Sequence, residues 1–283
     1  MLGSSNPAVS SVSPGGVAYN VAANLGRLGL RVSLVTRVGR DAAGAALLEE
    51  ARLQGVDVTL CEATEAAATG SYTAVLQPGG ELLLGVSDTE ACEDLTWPFL
   101  AARWEEIAAS TLVFADANLP AETLARLLRA LRERSGRLAL DAVSVAKAAR
   151  LPSDLAGVEM LFCNLEEARV LTDGGEGGAG ELAAALRDRG AALAFVSDGP
   201  KGLACASENG ALRLPAEAAQ VADVSGAGDA LVAGVIYGRL RGWDLEAACR
   251  AGLRAARLTV ESLGSGSRAL GPDALLPGTE GAP

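Results

Sequence analysis

Short apolar runs alternate with longer runs rich in Ala and Leu along most of this chain, and no other feature limits its fold as strongly. Helical patterns cover residues 17–28, 42–54, 120–134 and 180–189, and strand patterns cover 32–36, 111–115, 137–140 and 192–197. Strands that alternate with helices are joined by crossovers, which make the strands parallel and cover both faces of the sheet. The sequence therefore predicts an α/β fold of three layers with a mainly parallel central sheet.

One segment interrupts the alternation. Residues 71–77 and 81–86 favour β structure and are joined by Pro78-Gly79-Gly80, which predicts a hairpin. A hairpin inserted into an α/β chain can form a lid over a site at the strand ends. An ordinary hairpin at the edge of the sheet produces the same pattern, so both interpretations stay open.

The charge and residue usage exclude several classes of function. The chain has 24 Lys and Arg against 35 Asp and Glu, a net charge of −11, and no basic run, which argues against nucleic-acid binding. Helix N-termini and Mg²⁺ can still attract a nucleotide to an acidic protein. Because His is absent, Ser-His-Asp and Cys-His mechanisms and His-ligated metal sites are excluded. A general base must be a carboxylate, Lys, Tyr or Cys.

Cysteine spacing and hydropathy indicate the cellular setting. The five cysteines form no CxxC pair, which is typical of reduced thiols in a cytosolic protein. No apolar stretch reaches the roughly 18 residues of a membrane span, and the N-terminus lacks the pattern of a signal peptide. We therefore expect a cytoplasmic protein that does not enter a membrane.

The segment with the most chemical content is DVSGAGD, residues 223–229, which precedes an apolar helix predicted at 230–240. Small residues before a helix let the free N–H groups of its first turn approach an anion. Gly226, Ala227 and Gly228 are therefore candidates for an anion hole, and Asp229 for the base that accepts a proton from an attacking hydroxyl. A glycine turn followed by an acid that favours a helix start has the same sequence.

Two further segments have both a functional and a structural interpretation. Asn164 and Glu167 open a helix after the apolar run 160–163, where they can organise water around Mg²⁺ or form a capping box. Ser197, Gly199 and Gly202 follow a predicted strand, where they can contact nucleotide phosphates or simply turn the chain between strands. The sequence alone does not separate these alternatives.

A glycine pair near the start leads into the first helix. Gly15 and Gly16 let a substrate approach the backbone, and Asn20 can bond to sugar hydroxyls, although a plain loop-to-helix turn explains them equally well. The chain has no GxxxxGK[ST] sequence, which excludes a P-loop kinase.

Taken in chain order, these segments resemble the PfkB or ribokinase family of carbohydrate kinases over nearly the whole chain. The resemblance implies a ribokinase-like three-layer fold with a small β lid, and it implies ATP and Mg²⁺ as cofactors. It also assigns the roles: Asp229 as catalytic base, Gly226, Ala227 and Gly228 as anion hole, Asn164 and Glu167 toward Mg²⁺, Ser197, Gly199 and Gly202 toward ATP, and Gly15, Gly16 and Asn20 toward the substrate.

Within that family the chain is most similar to the pseudouridine kinases. The shared segments are SNP at 5–7, ADAN at 115–118 and DAVS at 141–144. This likeness implies that Asn118 contacts the substrate and that the reaction converts ATP and pseudouridine into ADP and pseudouridine 5′-phosphate.

The chain also departs from the pattern of that subfamily. Ala18 and Tyr19 stand where it has Gly-Arg, and Ala142 stands where it has Pro. Asp116 and Asn118 can also be polar residues at a strand end that bind no ligand. The alternatives are another sugar or nucleoside kinase, such as a ribokinase, fructokinase or adenosine kinase, and a binding protein or catalytically impaired relative.

The family pattern also concerns the start and the assembly. Family members begin with a strand of the central sheet that ends in Asn-x-Asp, and because this sequence starts beyond it, we expect an unfilled position in the sheet. We expect one kinase domain over residues 1–283, with the lid contributed by about residues 1–14 and 65–88. The expected partners are a small sugar or nucleoside and a second copy joined through the lid. A monovalent cation such as K⁺ is a further expected cofactor.

Overall fold

A computed structural model describes residues 8–77 and 82–276 of the chain, so the SNP segment at 5–7 and the hairpin turn at 78–80 lie outside the described residues. The α-helices are α1 (Val17–Arg27), α2 (Ala42–Leu53), α3 (Glu90–Glu93), α4 (Trp97–Ala101), α5 (Trp104–Ala108), α6 (Ala121–Glu133), α7 (Val145–Ala148), α8 (Leu165–Leu171), α9 (Ala179–Asp188), α10 (Ala227–Leu240) and α11 (Leu245–Val260). The strands are β1 (Val32–Ser33), β2 (Arg37–Gly39), β3 (Val56–Asp57), β4 (Glu62–Thr64), β5 (Ser71–Leu76), β6 (Leu82–Asp88), β7 (Val113–Asp116), β8 (Leu138–Asp141), β9 (Val158–Asn164), β10 (Leu193–Ser197), β11 (Leu203–Ser207) and β12 (Gly210–Leu214).

The central sheet has the strand order β12-β11-β10-β9-β8-β7. Its strands from β7 to β10 are parallel, whereas β10, β11 and β12 are joined by short turns and pair antiparallel. The predicted α/β fold with a mainly parallel sheet is therefore confirmed. Within the described residues β12 and β7 are the edge strands of this sheet, and the unfilled position that the resemblance implies stays a prediction.

The two faces of the sheet bury separate hydrophobic clusters, because successive strand residues point to opposite faces. In β8, Leu138 and Leu140 join the cluster that includes α6 and α9, while Ala139 between them joins the cluster that includes α1, α10 and α11. Phe162 and Phe195 stack in the second cluster with ring centroids 4.7 Å apart. Helices thus cover both faces, which confirms the three-layer arrangement.

Only the first part of the predicted strand at 32–36 is a strand, because β1 ends at Ser33 and β2 begins at Arg37, beyond the predicted range. Strand β1 pairs with β3, Leu34 N donates to Asp57 O at 2.8 Å, and β2 pairs with β4 in a second small sheet. The sequence pattern cannot reveal this break, because it depends on pairing with two later segments of the chain.

The predicted start of the helix that follows the DVSGAGD segment also needs correction. Helix α10 begins at Ala227 and not at residue 230. Gly226 directly before it takes the left-handed conformation, with φ of +73°, and is the N-cap residue of the helix. A Cβ at Gly226 would stand 2.4 Å from Ser265 O, so the turn also packs closely against the C-terminal segment. Ala227, Gly228 and Asp229 therefore form the first turn of the helix.

The predicted hairpin is present as β5 and β6, which form a two-stranded sheet of their own. It is not part of the edge of the central sheet, so the edge-hairpin interpretation is wrong for the described residues. Tyr72 and Leu83 on it are 63% and 65% exposed. Residues 8–14 carry no strand, so the N-terminal contribution to the lid remains a prediction. Among the described helices, none is long and apolar enough to cross a membrane.

Candidate active site

Four parallel strands end at one edge of the central sheet, and each ends in a polar residue. Asp116 ends β7 and is paired in register with Asp141 at the end of β8, while Asn164 at the end of β9 is paired with Ser197 at the end of β10. Ligands of open α/β sheets bind outside the carboxyl ends of the strands. The topology therefore brings these side chains to the edge where a site is expected.

A cavity of ≈ 140 Å³ opens at this edge. Its polar lining comes from separate elements and consists of Asp141, Asn164, Glu167, Ser197 and Asp229, with Gly228 beside them. The structure thus brings together the predicted base, one predicted anion-hole residue, the predicted Mg²⁺ pair and one predicted ATP residue. The other predicted site residues do not line the cavity: Gly15, Gly16, Asn20, Asn118, Gly199, Gly202, Gly226 and Ala227.

The first turn of α10 supplies free backbone donors. Ala230 N donates to Gly226 O at 2.9 Å and Ala227 N reaches Val224 O at 3.4 Å, but the amides of Gly228 and Asp229 donate no hydrogen bond within the described chain. A Cβ at Gly228 would meet nothing within 4 Å, so the space above this amide is open. Free first-turn amides beside open space are suited to bind an anion.

Asp229 is held by a side chain from the other end of the chain. Asn20 Nδ2 donates to Asp229 Oδ2 at 2.6 Å across 209 residues of sequence. Burial raises the pKa of Asp229 to about 6, the bond from Asn20 opposes this rise, and the charge of Asp116 adds to it. A carboxylate with a pKa near 6 is ionised at neutral pH and can still accept a proton, as a general base requires.

Asn164 and Glu167 form the capping box that the structural interpretation predicted. Glu167 N donates to Asn164 Oδ1 at 2.9 Å, while Asn164 N and Nδ2 donate to the two oxygens of Glu167 at 2.8 and 2.7 Å. Glu167 is 5% exposed, and burial raises the pKa of its carboxyl group against these hydrogen bonds.

The same pair also faces the cavity, where a metal would meet it. Each oxygen of Glu167 has one of these bonds and keeps a further lone pair. No three Asp, Glu or Cys side chains of the described residues lie close enough together to hold a metal ion. The donor set therefore fits the organisation of water around Mg²⁺ and does not fit a closed carboxylate cage.

Asp141 also lines the cavity, although the sequence predicted no role for it beyond its place in the DAVS segment. Its Oδ1 accepts from Val143 N at 2.7 Å, and burial, followed by the charge of Asp229, raises its pKa well above the ordinary value. Val143 has φ of +66°, a conformation that is costly for a β-branched residue. The sequence feature that could have identified Asp141 as a site residue is its place at the carboxyl end of a predicted parallel strand.

Asp116 and Asn118 link the glycine pair to the strand ends. Asp116 is buried and accepts from Ala18 N at 3.0 Å and Asn118 N at 2.9 Å, which fixes the first turn of α1 beside β7. The side chain of Asn118 accepts a hydrogen bond from Lys147 Nζ, which also donates to Thr89 at the base of the hairpin at 3.3 Å. Asn118 thus lies between the hairpin and α7, outside the cavity.

The predicted ATP turn has a structural requirement of its own. Gly202 has φ of +99°, and a Cβ there would stand 2.0 Å from Leu214 O, so this glycine lets β11 follow β10 beside β12. Gly199, with φ of +50°, has open space around it. The turn interpretation accounts for Gly202, and contact of this segment with ATP remains a prediction.

Comparison with known proteins identifies a family and several relatives. Residues 5–270 match the family described as pfkB family carbohydrate kinase. The chain is 30% identical over 262 residues to the uncharacterized sugar kinase YeiI of Escherichia coli, covering 91% of this chain and 72% of that protein. It is 31% identical over 235 residues to the pseudouridine kinase of the same organism, covering 82% and 74%.

Solved structures give the same fold. The chain matches a carbohydrate kinase from Agrobacterium tumefaciens with a TM-score of 0.84 and 33% identity, covering 97% of this chain and 89% of that one. It matches ribokinase from Thermotoga maritima with a TM-score of 0.80 and 20% identity, covering 97% and 91%. The ribokinase-like fold is thereby confirmed.

We predict that Asp229→Asn stabilises the fold more at pH 8 than at pH 5. A carboxyl group whose pKa rises from 3.8 to about 6 on folding binds its proton more tightly when folded, so it costs stability as pH rises, up to roughly 3 kcal/mol above pH 6. The amide carries no charge and can still accept from Asn20. Thermal unfolding should give a midpoint several degrees above wild type at pH 8, with a smaller gain at pH 5.

The matched control for this experiment is Asp188→Asn at an exposed position of α9. It should change the midpoint equally little at both pH values. An equal gain for Asp229→Asn at pH 5 and pH 8 would contradict the buried, destabilised carboxylate.

Proposed function

The chain belongs to the pfkB family of carbohydrate kinases and is an ATP-dependent phosphotransferase, and from that premise we propose that it phosphorylates the 5′-hydroxyl of pseudouridine. The observation that carries the proposal is the cavity in which Asp229 lies next to the free amides of the α10 first turn. A base and an anion-binding turn on one helix are the two groups that phosphoryl transfer to an alcohol requires.

In the proposed reaction Asp229 accepts the proton of the attacking hydroxyl. The amides of Gly228 and Asp229 donate to the oxygens of the phosphoryl group in transit, so negative charge develops against donors that are already oriented. The walls of the cavity keep hydroxyl and phosphoryl group aligned, which removes most of the entropic cost of bringing them together. Mg²⁺, when bound, neutralises charge on the phosphate oxygens, and Asn164 and Glu167 are the residues proposed to hold its water shell.

The substrate is proposed from two kinds of support. The identity to a named pseudouridine kinase is 31%, and both subfamily segments in the described chain, 115–118 and 141–144, end β7 and β8 beside the site. Asn118 and Lys147 offer hydrogen-bonding groups that are suited to a polar base at the foot of the hairpin. Another sugar or nucleoside acceptor is the alternative, because YeiI has a similar identity.

The remaining conditions of the reaction are also proposals. We expect ATP to lie along Ser197 and the turn that contains Gly199 and Gly202, and a monovalent cation such as K⁺ to support the reaction. We expect a cytoplasmic location, where ATP is available and where free thiols such as those of the five cysteines stay reduced.

We predict ATP-dependent phosphorylation of pseudouridine, with much lower kcat/KM for uridine, adenosine, ribose and fructose. In Asp229→Asn kcat should fall roughly 10²- to 10⁴-fold with ATP affinity little changed, because the amide cannot accept the proton. Because the base must be ionised, kcat/KM of the wild type should fall as pH drops through about 6. Coupled ADP-release assays over this panel measure the substrate preference, the rate of the variant and the pH dependence.

Outcomes of this assay separate the alternatives. A preference for ribose or fructose would replace the substrate but keep the reaction. Turnover of Asp229→Asn at the wild-type rate would remove the proposed base. Binding of nucleosides without any ADP release would favour a binding protein.

We predict that Glu167→Gln raises the Mg²⁺ concentration for half-maximal rate about tenfold or more. Gln keeps the size of Glu167 and one oxygen that can accept the capping bond from Asn164 N, but its NH₂ group cannot accept the second bond, from Asn164 Nδ2, and the charge that would hold metal-bound water is lost. Titration of the rate with MgCl₂ at fixed ATP gives the measurement. The control is Glu181→Gln, which changes the equivalent capping residue of α9 far from the cavity. Wild-type Mg²⁺ dependence of Glu167→Gln would leave capping as its only role.

We also propose that two copies of the chain associate through the hairpin β5–β6. Val75 is paired with Leu84 and Thr73 with Val86, so Val75, Leu84 and Val86 share one face of this ribbon. Leu84 and Val86 are more than half exposed, and a two-stranded sheet has no core of its own to bury them. A second copy of the same ribbon would cover this face.

We predict that the wild type sediments as a dimer of the 28.6 kDa chain and that Leu84→Lys sediments as a monomer. A lysine on the apolar face would have to bury its charge in the interface. Leu53→Lys is the control, because Leu53 is also exposed but lies on α2. A wild-type monomer at micromolar concentration, or equal dissociation of both variants, would contradict association through the hairpin.

A further inference from the structure

Both the NH₂ group and the carbonyl oxygen of the Asn20 side chain form hydrogen bonds within the protein. The residue is 8% exposed, its Nδ2 donates to Asp229 Oδ2 at 2.6 Å, and its Oδ1 lies 3.1 Å from the hydroxyl of Ser265. The same hydroxyl lies 3.2 Å from Pro14 O. The sequence interpretation expected this amide to bond to the substrate, but the structure gives it protein partners on both sides.

The chemistry of the three groups fixes their orientation. An ionised carboxylate can only accept, so the NH₂ group of Asn20 must face Asp229 and its carbonyl oxygen must face Ser265. The hydroxyl proton of Ser265 then lies between Asn20 Oδ1 and Pro14 O. The bond from Asn20 engages Oδ2 of Asp229, and no described residue donates to Oδ1, which is left to accept a substrate proton.

Ser265 is in turn held against the catalytic turn. Its carbonyl oxygen occupies the space that a Cβ of Gly226 would need, 2.4 Å away. The carboxylate of Asp223 joins the two segments, because it accepts from Ser225 N at 2.9 Å and from Gly264 N at 3.0 Å. The position of the Ser265 hydroxyl is therefore coupled to the loop that leads into α10.

We propose that Asn20 is a positioning residue for Asp229 and that Ser265 orients Asn20, so that the segment 264–267 sets the geometry of the catalytic carboxylate. This inference rests on the proposed function insofar as Asp229 is the base. Asn20 acts through Asp229 and does not itself touch the reacting atoms. Its bond holds one carboxylate oxygen still and keeps the other directed at the acceptor hydroxyl, which lowers the orientational cost of proton transfer.

The hydrogen bond from Asn20 to Asp229 also affects the pKa of Asp229, because other acidic groups lie nearby. Asp116 at the end of β7, Asp141 at the end of β8 and Glu167 at the start of α8 are the acidic groups near this edge, and burial together with the charge of Asp116 favours protonated Asp229. Asn20 is the neutral donor that opposes them. Loss of the donor should therefore move the protonation of Asp229 to higher pH.

The experiment compares Asn20→Ala, Ser265→Ala and a matched control, Asn24→Ala. Asn24 is a buried asparagine one turn further along α1, but its side chain accepts from Arg27 at 3.0 Å and lies outside the cavity. In Asn20→Ala we expect kcat to fall roughly 10- to 100-fold, KM for the nucleoside to change less than about threefold, and the acid limb of kcat/KM to move to higher pH. Ser265→Ala should lower kcat and move the acid limb to higher pH by smaller amounts. Asn24→Ala should change neither kcat nor the acid limb.

Three outcomes of the kinetics would contradict the proposal. A large rise in KM for the nucleoside with an unmoved acid limb would make Asn20 a substrate ligand. An Asn24→Ala profile that shifts like that of Asn20→Ala would mean that α1 stability alone is responsible. Wild-type behaviour of Ser265→Ala would remove Ser265 from the network.

A titration without substrate keeps this inference separate from the proposed function. Carbon-13 NMR of the Asp side-chain carboxyls, with the Asp229 signal identified by its loss in Asp229→Asn, follows protonation of this group directly. We expect a higher midpoint in Asn20→Ala than in wild type even if no acceptor is ever phosphorylated. Equal midpoints would overturn the inference, whereas absence of turnover with a shifted midpoint would overturn only the proposed reaction.

Discussion

The arrangement of this molecule depends on keeping four acidic side chains together at one edge of the central sheet. Asp116, Asp141, Glu167 and Asp229 each have a raised pKa, with burial as the largest cause. Backbone and side-chain donors oppose this effect of burial, such as Ala18 N of α1 for Asp116 and Val143 N, from the loop after β8, for Asp141. Burial of these carboxyl groups lowers the stability of the fold and leaves the pKa of Asp229 at about 6.

The fold could be predicted where buried residues recur with the period of a helix or form an apolar run. It could not be predicted where an element is too short to show such a pattern. The periodicity of α1, α6 and α9 and the apolar runs of β7 to β10 follow directly from helices covering a parallel sheet. Helices α3, α4 and α5 have four or five residues each, too few to show a period. The break between β1 and β2 arises because they pair with two separate strands, β3 and β4, which come later in the chain.

The site could be predicted where one short segment carries both the backbone geometry and the chemical group. The DVSGAGD segment contains the left-handed glycine, the free amides and the carboxylate, but the helix starts earlier than expected, and the free amides belong to Gly228 and Asp229 and not to all three predicted anion-hole residues. The contacts of Asn20 could not be predicted, because its partners Asp229 and Ser265 are distant in sequence. Asp141 was also missed, since an acid that ends a strand reveals a cavity only once the order of the strands is known.

The contact between Asn20 and Asp229 also bears on how the protein is made. The two partners are 209 positions apart, so at a synthesis rate of about 5 to 20 residues per second Asn20 is made roughly 10 to 40 s before Asp229. During that interval Val21 and Leu25 lack α10, against which they are buried in the finished protein. The packing of α1 is therefore completed only late in synthesis.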